Sequence, residues 1–518
     1  MEEQIYYRPE WTCGRYNEEK KVAIYYNLIE GISYFFEDYS AMVIGAVLSV
    51  EKTKTIDLAV LSEKMDIALE SLIPFFQQLV QLGIVTSVFP SKEFIYNYRK
   101  RIKENNLQQR FTDKDVTEKL PYDVSGAEQL YTDKVGGITS VMLELTYKCS
   151  EKCIHCYNIG ATRNDEEIST RDKREELTIE QYKSLIDELY EQGLIKVCLT
   201  GGDPFSKTFA WELIDYLYDK GIAIDIFTNG QRIVEKVQRL ADYYPRTIGV
   251  SIYSGIPEVH DYITRIKGSW ERSMSVVKQL SDFAVPMNLK CCVMRPNIKS
   301  YYMVADIASE YGAVPQFEIS LTDSIEGDKC VSKYLRMTPE QLEVVLRDKN
   351  IPLYVGKEAP NYGGQKKMMS ANPCGAGDNS LCITPEGNVI PCCAFHTLFG
   401  NIKEKSIKEI LESKELAYWR NLTLNQYEEC GRHNYCDYCN LCPGNNFVEH
   451  GTPLKAAEVN CYLAKNRYEL AQKMKNGYEP LHGTSLPEKL NELEDYKPVE
   501  IKREMSQNYS DTRLKVGG

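Results

Sequence analysis

A chain of 518 residues exceeds what one hydrophobic core supports, so two to four domains are expected. Its composition, 43% apolar and 26% charged, is that of a soluble globular protein. A formal charge of −12 excludes nucleic acid as a partner, because phosphate contacts need a basic footprint. The N-terminus lacks the basic-then-apolar layout of a secretory signal. The longest early apolar run, Ala41 to Leu48, is too short to span a bilayer, so a cytoplasmic protein without a membrane partner is expected. In that reducing compartment, clustered cysteines read as metal ligands or reactive thiols. Three of the 17 fall between 149 and 156, and nine between 374 and 461. Cys13, Cys198, Cys291, Cys292 and Cys330 are scattered and read as small core hydrophobes.

In chain order, residues 1–90 read as a small α+β unit. Val22–Tyr26 and Ile32–Phe36 are strands around a turn at Glu30-Gly31. Ser40 caps a helix through Leu48, and Thr55 to Met65 is a second helix. Leu69, Leu72, Ile73, Phe76, Leu79 and Val80 mark a third. There Ser71 as the cap would put Pro74 in the tolerant first turn. Gly83 ends the helix and Ile84-Val85 resumes as strand, a winged-helix pattern. Residues 91–137 form a polar, solvated linker.

Over 138–335 six short apolar runs each precede a helix-length segment: Val141–Leu145, Ile195–Thr200, Ile222–Phe227, Thr247–Ile252, Met287–Met294 and Gln316–Leu321. Six βα units imply an α/β fold, a parallel sheet curling as a partial (β/α)6 barrel with chemistry at the strand C-termini. A connector, 336–370, leads to a loop-rich, metal-held region over 371–470 and a polar tail over 471–518.

The chemistry starts at Cys149-x3-Cys153-x2-Cys156, directly after the first barrel strand. Three thiolates can hold three irons of a cubane and leave the fourth open. Structural zinc would want four ligands, and His155 is the one cramped candidate for the fourth. The triplet resembles the radical S-adenosylmethionine (SAM) superfamily, and further matches follow in order. Thr200-Gly201-Gly202-Asp203-Pro204 resembles the family's glycine-glycine-acid motif at the SAM amino group. Asn229, in Thr228-Asn229-Gly230, matches a SAM-lining strand end, and Ser251 the ribose contact. His260-Asp261, Thr264-Arg265 and Gly268-Ser269 also match, with Arg265 on the SAM carboxylate side.

The second cysteine region resembles a SPASM domain. Cys374-x12-Gly387-x4-Cys392 fits its opening, and Cys430-x5-Cys436-x2-Cys439-x2-Cys442 with Cys461 fits its close. With Cys382 these make eight cysteines, enough for two auxiliary [4Fe–4S] clusters. A zinc knuckle over 436–461 is the alternative. Residues 1–90 resemble the PqqD-like leader-recognition domain, which binds a precursor leader as an added strand at a sheet edge.

These resemblances imply a radical SAM/SPASM peptide maturase that uses SAM and [4Fe–4S] clusters, with an electron donor such as flavodoxin or ferredoxin. The implied product is an oxidative crosslink, thioether or carbon–carbon. In sulfatase-maturing relatives an aspartate base follows the third opening cysteine; here Cys393 stands there, either packed or a hydrogen donor for epimerisation. The alternatives are an enzyme that epimerises a peptide, acts on a small molecule or activates a partner protein, and, from another class, a zinc-rich winged-helix regulator.

Overall fold

The computed structural model describes residues 5–110, 126–158, 175–324, 329–357 and 369–499. The N-terminal unit holds β1 (Ile5–Tyr7), β2 (Thr12–Asn17), β3 (Val22–Asn27), β4 (Ile32–Glu37), α1 (Asp38–Ser49), β5 (Thr55–Asp57), α2 (Leu58–Met65) and α3 (Leu69–Gln81). β2, β3 and β4 form an antiparallel sheet with β3 in the middle, and β1 pairs with β5.

β3 is buried along its whole length because both of its faces are covered. Ala23 and Tyr25 pack with α1 to α3. Val22, Ile24 and Tyr26 turn the other way and join Trp11, Ile95 and Tyr98. Ile195, Ala223 and Tyr244 of the barrel complete that cluster, so the N-terminal unit and the barrel share a core.

Several local details differ from the sequence reading. α1 begins two residues before Ser40, and α2 follows strand β5 with Asp57 as its cap. α3 begins at Leu69, so Pro74 lies inside it rather than in a first turn set by Ser71. Beyond Gly83 there is one bridge, Tyr7 to Thr86, in place of a strand. The segment read as a solvated linker contains α4 (Lys92–Arg110) and α5 (Ala127–Val135). α4 buries Ile95, Tyr98 and Arg99, and α5 buries Tyr131.

The barrel runs β6 (Ser140–Glu144), α6 (Ile179–Glu191), β7 (Lys196–Thr200), α7 (Ala210–Asp219), β8 (Ala223–Thr228), α8 (Val237–Ala241) and β9 (Thr247–Ser251). It continues with α9 (Pro257–Thr264), α10 (Ser269–Asp282), β10 (Met287–Cys292), α11 (Met303–Tyr311) and β11 (Val314–Glu318). All six strands pair in parallel, in chain order.

The sheet then extends past β6. After α12 (Pro339–Arg347), strand β12 (Ser380–Ile383) adds to β6 in parallel, and β13 (Asn388–Ile390) and β14 (Gly400–Asn401) follow antiparallel. The cysteine-rich region therefore shares the barrel's sheet. Its remaining helices are α13 (Ile407–Leu411), α14 (Lys414–Asn421), α15 (Pro443–His450), α16 (Glu458–Lys475) and α17 (Ser485–Asn491). Leu486 and Leu490 of α17 are buried, so the expected tail packs as far as that helix, whereas 491–499 are mostly exposed; 500–518 lie outside the described residues.

Successive strand residues alternate faces. Val141, Leu143, Val197, Leu199, Ile224, Ile226, Ile248, Val250 and Leu289 face the helices and form the main core. The opposite face lines the lumen: Glu144, Cys198, Thr200, Phe227, Gly249, Ser251, Lys290 and Cys382 share it through the strand registers. The strand C-termini lead into the Cys149 loop. The N-termini are covered by the N-terminal unit, where Arg15 Nη1 donates to the Leu194 carbonyl at 3.3 Å and Lys52 Nζ to that of Tyr218 at 3.0 Å. No helix among the described residues is long and apolar enough to cross a membrane.

Candidate active site

The loop after β6 carries Cys149, Cys153 and Cys156, and hydrogen bonds at both ends fix its path. Gly202 N donates to Thr146 O at 2.7 Å, and Asp203 N to Lys148 O at 3.1 Å. Lys152 N and Ile154 N donate to Thr264 O and Ile263 O, both at 2.9 Å. Gly201 and Gly202 are needed for this crossing. A Cβ on Gly201 would stand 2.3 Å from Thr146 O, and one on Gly202 would stand 2.4 Å from Lys148 O. The glycines thus let the cysteine loop lie directly on the end of β7.

Burial pushes the Cys149 thiol up to about 12 and raises Cys153 further, with Glu151 adding to the latter. Both are held as thiols until a metal displaces the protons. Among the described residues no three His, Cys, Asp or Glu side chains converge on a single-ion site. A cubane instead spreads its ligands over separate irons. The donor set of three thiols on one buried loop fits the cluster.

The motif residues around it divide. Asp203 is fully buried, and its oxygens are engaged: Oδ1 accepts from Phe205 N at 3.0 Å, Oδ2 from Thr228 Oγ1 at 2.6 Å and Asn229 N at 3.2 Å. Asn229 Nδ2 lies 3.3 Å from Cys149 Sγ. Ser251 ends β9 on the lumen side, in register with Lys290. Arg265 is exposed, in a left-handed turn (φ 59°) at the end of α9, beside the carbonyls that hold the cysteine loop. His260 Nδ1 accepts from Tyr253 N at 3.2 Å, and burial lowers the imidazole to about 4.

Three acidic or basic residues escaped the sequence reading, two on the lumen face and one in the cysteine loop. Glu144, fully buried at the end of β6, accepts from Tyr147 Oη at 3.2 Å and Tyr157 Oη at 3.4 Å. Lys290 sends its Nζ to 3.5 Å from the Phe227 ring centroid. Its chain passes where Gly249 lacks a side chain; a Cβ there would meet Lys290 Cε at 2.5 Å. Burial lowers its pKa. Glu151, buried between two cysteines, is raised by burial to about 8. The signal was available: an acid and a lysine interrupt the apolar strands Val141–Leu145 and Met287–Met294.

The C-terminal cysteines form two groups. Cys430, Cys436, Cys439 and Cys461 line one small pocket. After burial, Cys442 lies close enough to raise the pKa of Cys374 and Cys392, and Cys374 that of Cys392. Beside them the buried Tyr427 hydroxyl has no hydrogen-bond partner among the described residues. An orphaned donor facing thiols fits a sulfur-rich cluster as its acceptor. Cys382 stands on β12 in register with Met142, as Cys198 does on β7, and its neighbours are Glu144, Cys393, Cys392 and Cys198. Cys393 lies against Tyr157, Glu144 and Lys290, and burial raises it to about 11.

The radical SAM superfamily pattern matches residues 143–299, and the SPASM iron–sulfur cluster-binding pattern matches 374–443. The antilisterial bacteriocin subtilosin biosynthesis protein AlbA of Bacillus subtilis (strain 168) is 28% identical over 338 residues, covering 62% of this chain and 69% of AlbA. An AdoMet-dependent heme synthase of Methanosarcina barkeri (strain Fusaro / DSM 804) is 25% identical over 323 residues, 58% of this chain and 89% of the synthase. The structure of native anSMEcpe with bound AdoMet superposes with a TM-score of 0.50 at 16% identity, over 65% of this chain and 98% of that one, a likeness of fold. With the triplet and the C-terminal cysteine groups in these two matched regions, the chain is a radical SAM enzyme with a SPASM extension, and SAM and iron–sulfur clusters are its cofactors.

Proposed function

We propose that this enzyme matures a ribosomally made precursor peptide in the cytoplasm, installing an oxidative crosslink, thioether or carbon–carbon. The observation that carries the peptide reading is the N-terminal unit. β4 pairs only with β3 among the described residues, so its other edge carries no strand. An extended leader can add there, and the unit resembles the PqqD-like, winged-helix leader-recognition domain. The similarity to AlbA, a bacteriocin biosynthesis protein, points the same way.

Cys149, Cys153 and Cys156 would hold the cluster, which when bound would supply the electron that splits SAM into methionine and a 5′-deoxyadenosyl radical. Gly201, Gly202, Asp203, Asn229, Ser251 and Arg265 surround that step, with Gly201 and Gly202 shaping the loop. The lumen side chains orient the peptide. Lys290 offers a desolvated cation to a substrate carbonyl or carboxylate. Glu144 and its two tyrosines form a fixed acid–hydroxyl group at the lumen's upper end.

A crosslink balances as the loss of two hydrogens. One would leave in 5′-deoxyadenosine and the other as a proton, and a cluster held by the C-terminal cysteines would supply the acceptor for the remaining electron. Seven cysteines, Cys374, Cys392, Cys430, Cys436, Cys439, Cys442 and Cys461, are the auxiliary ligands this arrangement favours. The reducing electron comes from a flavodoxin- or ferredoxin-type donor.

Mass spectrometry of precursor incubated with enzyme and SAM tests the reading. A leader-dependent loss of one hydrogen pair is expected. Unchanged mass with solvent deuterium uptake would replace the crosslink by epimerisation, with Cys393 as hydrogen donor. A second reading, chemistry on a small molecule, is favoured by the similarity to the heme synthase. Turnover independent of any leader would support it.

A further inference from the structure

Asn229 stands at the end of β8 and is 6% exposed, and every polar group on it but one is committed elsewhere. Its backbone N donates to Asp203 Oδ2 at 3.2 Å. Its carbonyl accepts from Ser273 Oγ at 2.7 Å. Its side-chain Oδ1 accepts from Gln231 N at 3.1 Å. A backbone N–H can only donate, so this last bond settles which end of the amide is oxygen. Nδ2 must then face the cysteine loop, where it lies 3.3 Å from Cys149 Sγ and 3.3 Å from Ser150 Oγ. Glu151 N approaches the same sulfur at 3.4 Å.

We propose that Asn229 is a positioning residue for the iron–sulfur cluster rather than a SAM contact: its clamped amide holds an N–H···S hydrogen bond on Cys149 and raises the cluster's reduction potential. Hydrogen bonds to cluster sulfurs stabilise the more negative, reduced state, because the donor's positive end meets added charge. The clamp supplies the preorganisation. The amide cannot swing to another partner without leaving Gln231 N unpaired, so the donor is in place before the electron arrives. Asp203 acts one step back: by holding Thr228 Oγ1 and Asn229 N it fixes the strand end from which the amide projects. The inference does not depend on the peptide reading, only on the cluster at Cys149, Cys153 and Cys156.

The test uses the full-length holoenzyme and two variants. Asn229→Asp keeps the acceptor for Gln231 N and replaces the donor by an oxygen; Asn229→Leu removes both. The measured quantity is the midpoint potential of the cluster whose electron paramagnetic resonance signal changes on SAM addition, with iron content and the SAM dissociation constant measured alongside. At the parent's midpoint, the reduced-to-oxidised ratio in Asn229→Asp is expected to fall about tenfold, a shift of about 59 mV to more negative potential for one electron. Iron content, SAM affinity and the other clusters' potentials are expected to stay at parental values. If Asn229→Leu fails to load clusters, the Asp variant decides alone. An unchanged midpoint overturns the proposal, and with weakened SAM binding it returns Asn229 to the ligand. Equal shifts in every cluster also overturn it, as a global effect.

Discussion

The Arg99 guanidinium donates to the Ala241 carbonyl at 2.7 Å and lies over the Tyr244 ring at 4.7 Å. The helix that carries Arg99 is thus fastened to the base of the barrel, and with it the sheet carrying Trp11, Ile24 and Tyr26. Each such large side chain contributes roughly 1.5–3 kcal/mol by its burial. Removing residues 1–90 would expose Ile195, Ala223 and Tyr244 to water. The truncated protein is therefore expected to melt at lower temperature or to aggregate, rather than to survive as a leaderless catalyst. Thermal unfolding of the two forms decides. The leader site is better probed in the intact chain: leader peptide is expected to slow amide exchange across Ile32–Glu37, and unchanged exchange there would remove β4 as the docking edge.

Cys149→Ala, Cys153→Ala and Cys156→Ala are each expected to abolish 5′-deoxyadenosine formation. The barrel core, built from outward-facing residues such as Leu143 and Val197, does not include the loop, so the circular dichroism spectrum is expected to be retained. Parental deoxyadenosine yield in any one of them would refute the assignment.

Cys382→Ser is expected to keep the full iron content, because Cys382 belongs to the lumen with Cys198 and Cys393. Cys392→Ser and Cys442→Ser are expected to lose iron equivalent to one cluster. Iron and sulfide analysis per chain settles it; loss of a cluster in the Cys382 variant would restore the eight-ligand reading.

Lys290→Met replaces a desolvated cation by an apolar chain of similar length. Holding an ammonium out of water costs free energy, so removing it is not expected to lower stability. The variant is expected to melt no lower than the parent while losing most peptide modification. A clear fall in melting temperature would make Lys290 a structural residue.

His260 carries a pH dependence. Burial lowers it from 6.5 to about 4, so between these values the unfolded chain binds the proton and the folded one does not. The stability is complete above pH 6.5 and declines as pH falls towards 4, by about 3 kcal/mol for the full shift. His260→Asn is expected to flatten that acid limb in melts collected from pH 7 to pH 4. A limb as steep as the parent's would assign it to other groups.

The barrel strands were readable in the sequence because Val, Ile and Leu recur every second residue on the face that meets the helices. Observed β6 to β10 fall within a residue or two of the expected runs. Strand β2 was not, since Thr12-Cys13-Gly14-Arg15-Tyr16-Asn17 has no apolar alternation and gains its burial from Tyr25, Tyr26 and the barrel. α4 reads as solvated because its cations are prominent, yet Arg99 is buried by a carbonyl and an aromatic face that no local pattern shows. Strand β12 is four residues long, and its partner lies about 240 residues earlier, a pairing invisible to periodicity. For the same reason composition gives the number of thiols, whereas the register adds that Cys382 shares the lumen face with Cys198.

The N-terminal unit sits beneath the strands, and the Cys149 loop sits above them. The parallel strands between are five or six residues long, about 17–20 Å at 3.3 Å per residue. On the proposed docking at β4, a peptide modified at the cluster end would cross at least that distance as extended chain, outside a base already filled by Arg246, Asp225, Lys196 and Glu128. The enzyme would then act as a ruler. The residue that meets the radical would be set by its count from the leader, so inserting residues into that spacer would move the modification along the precursor without altering a single contact in the active site.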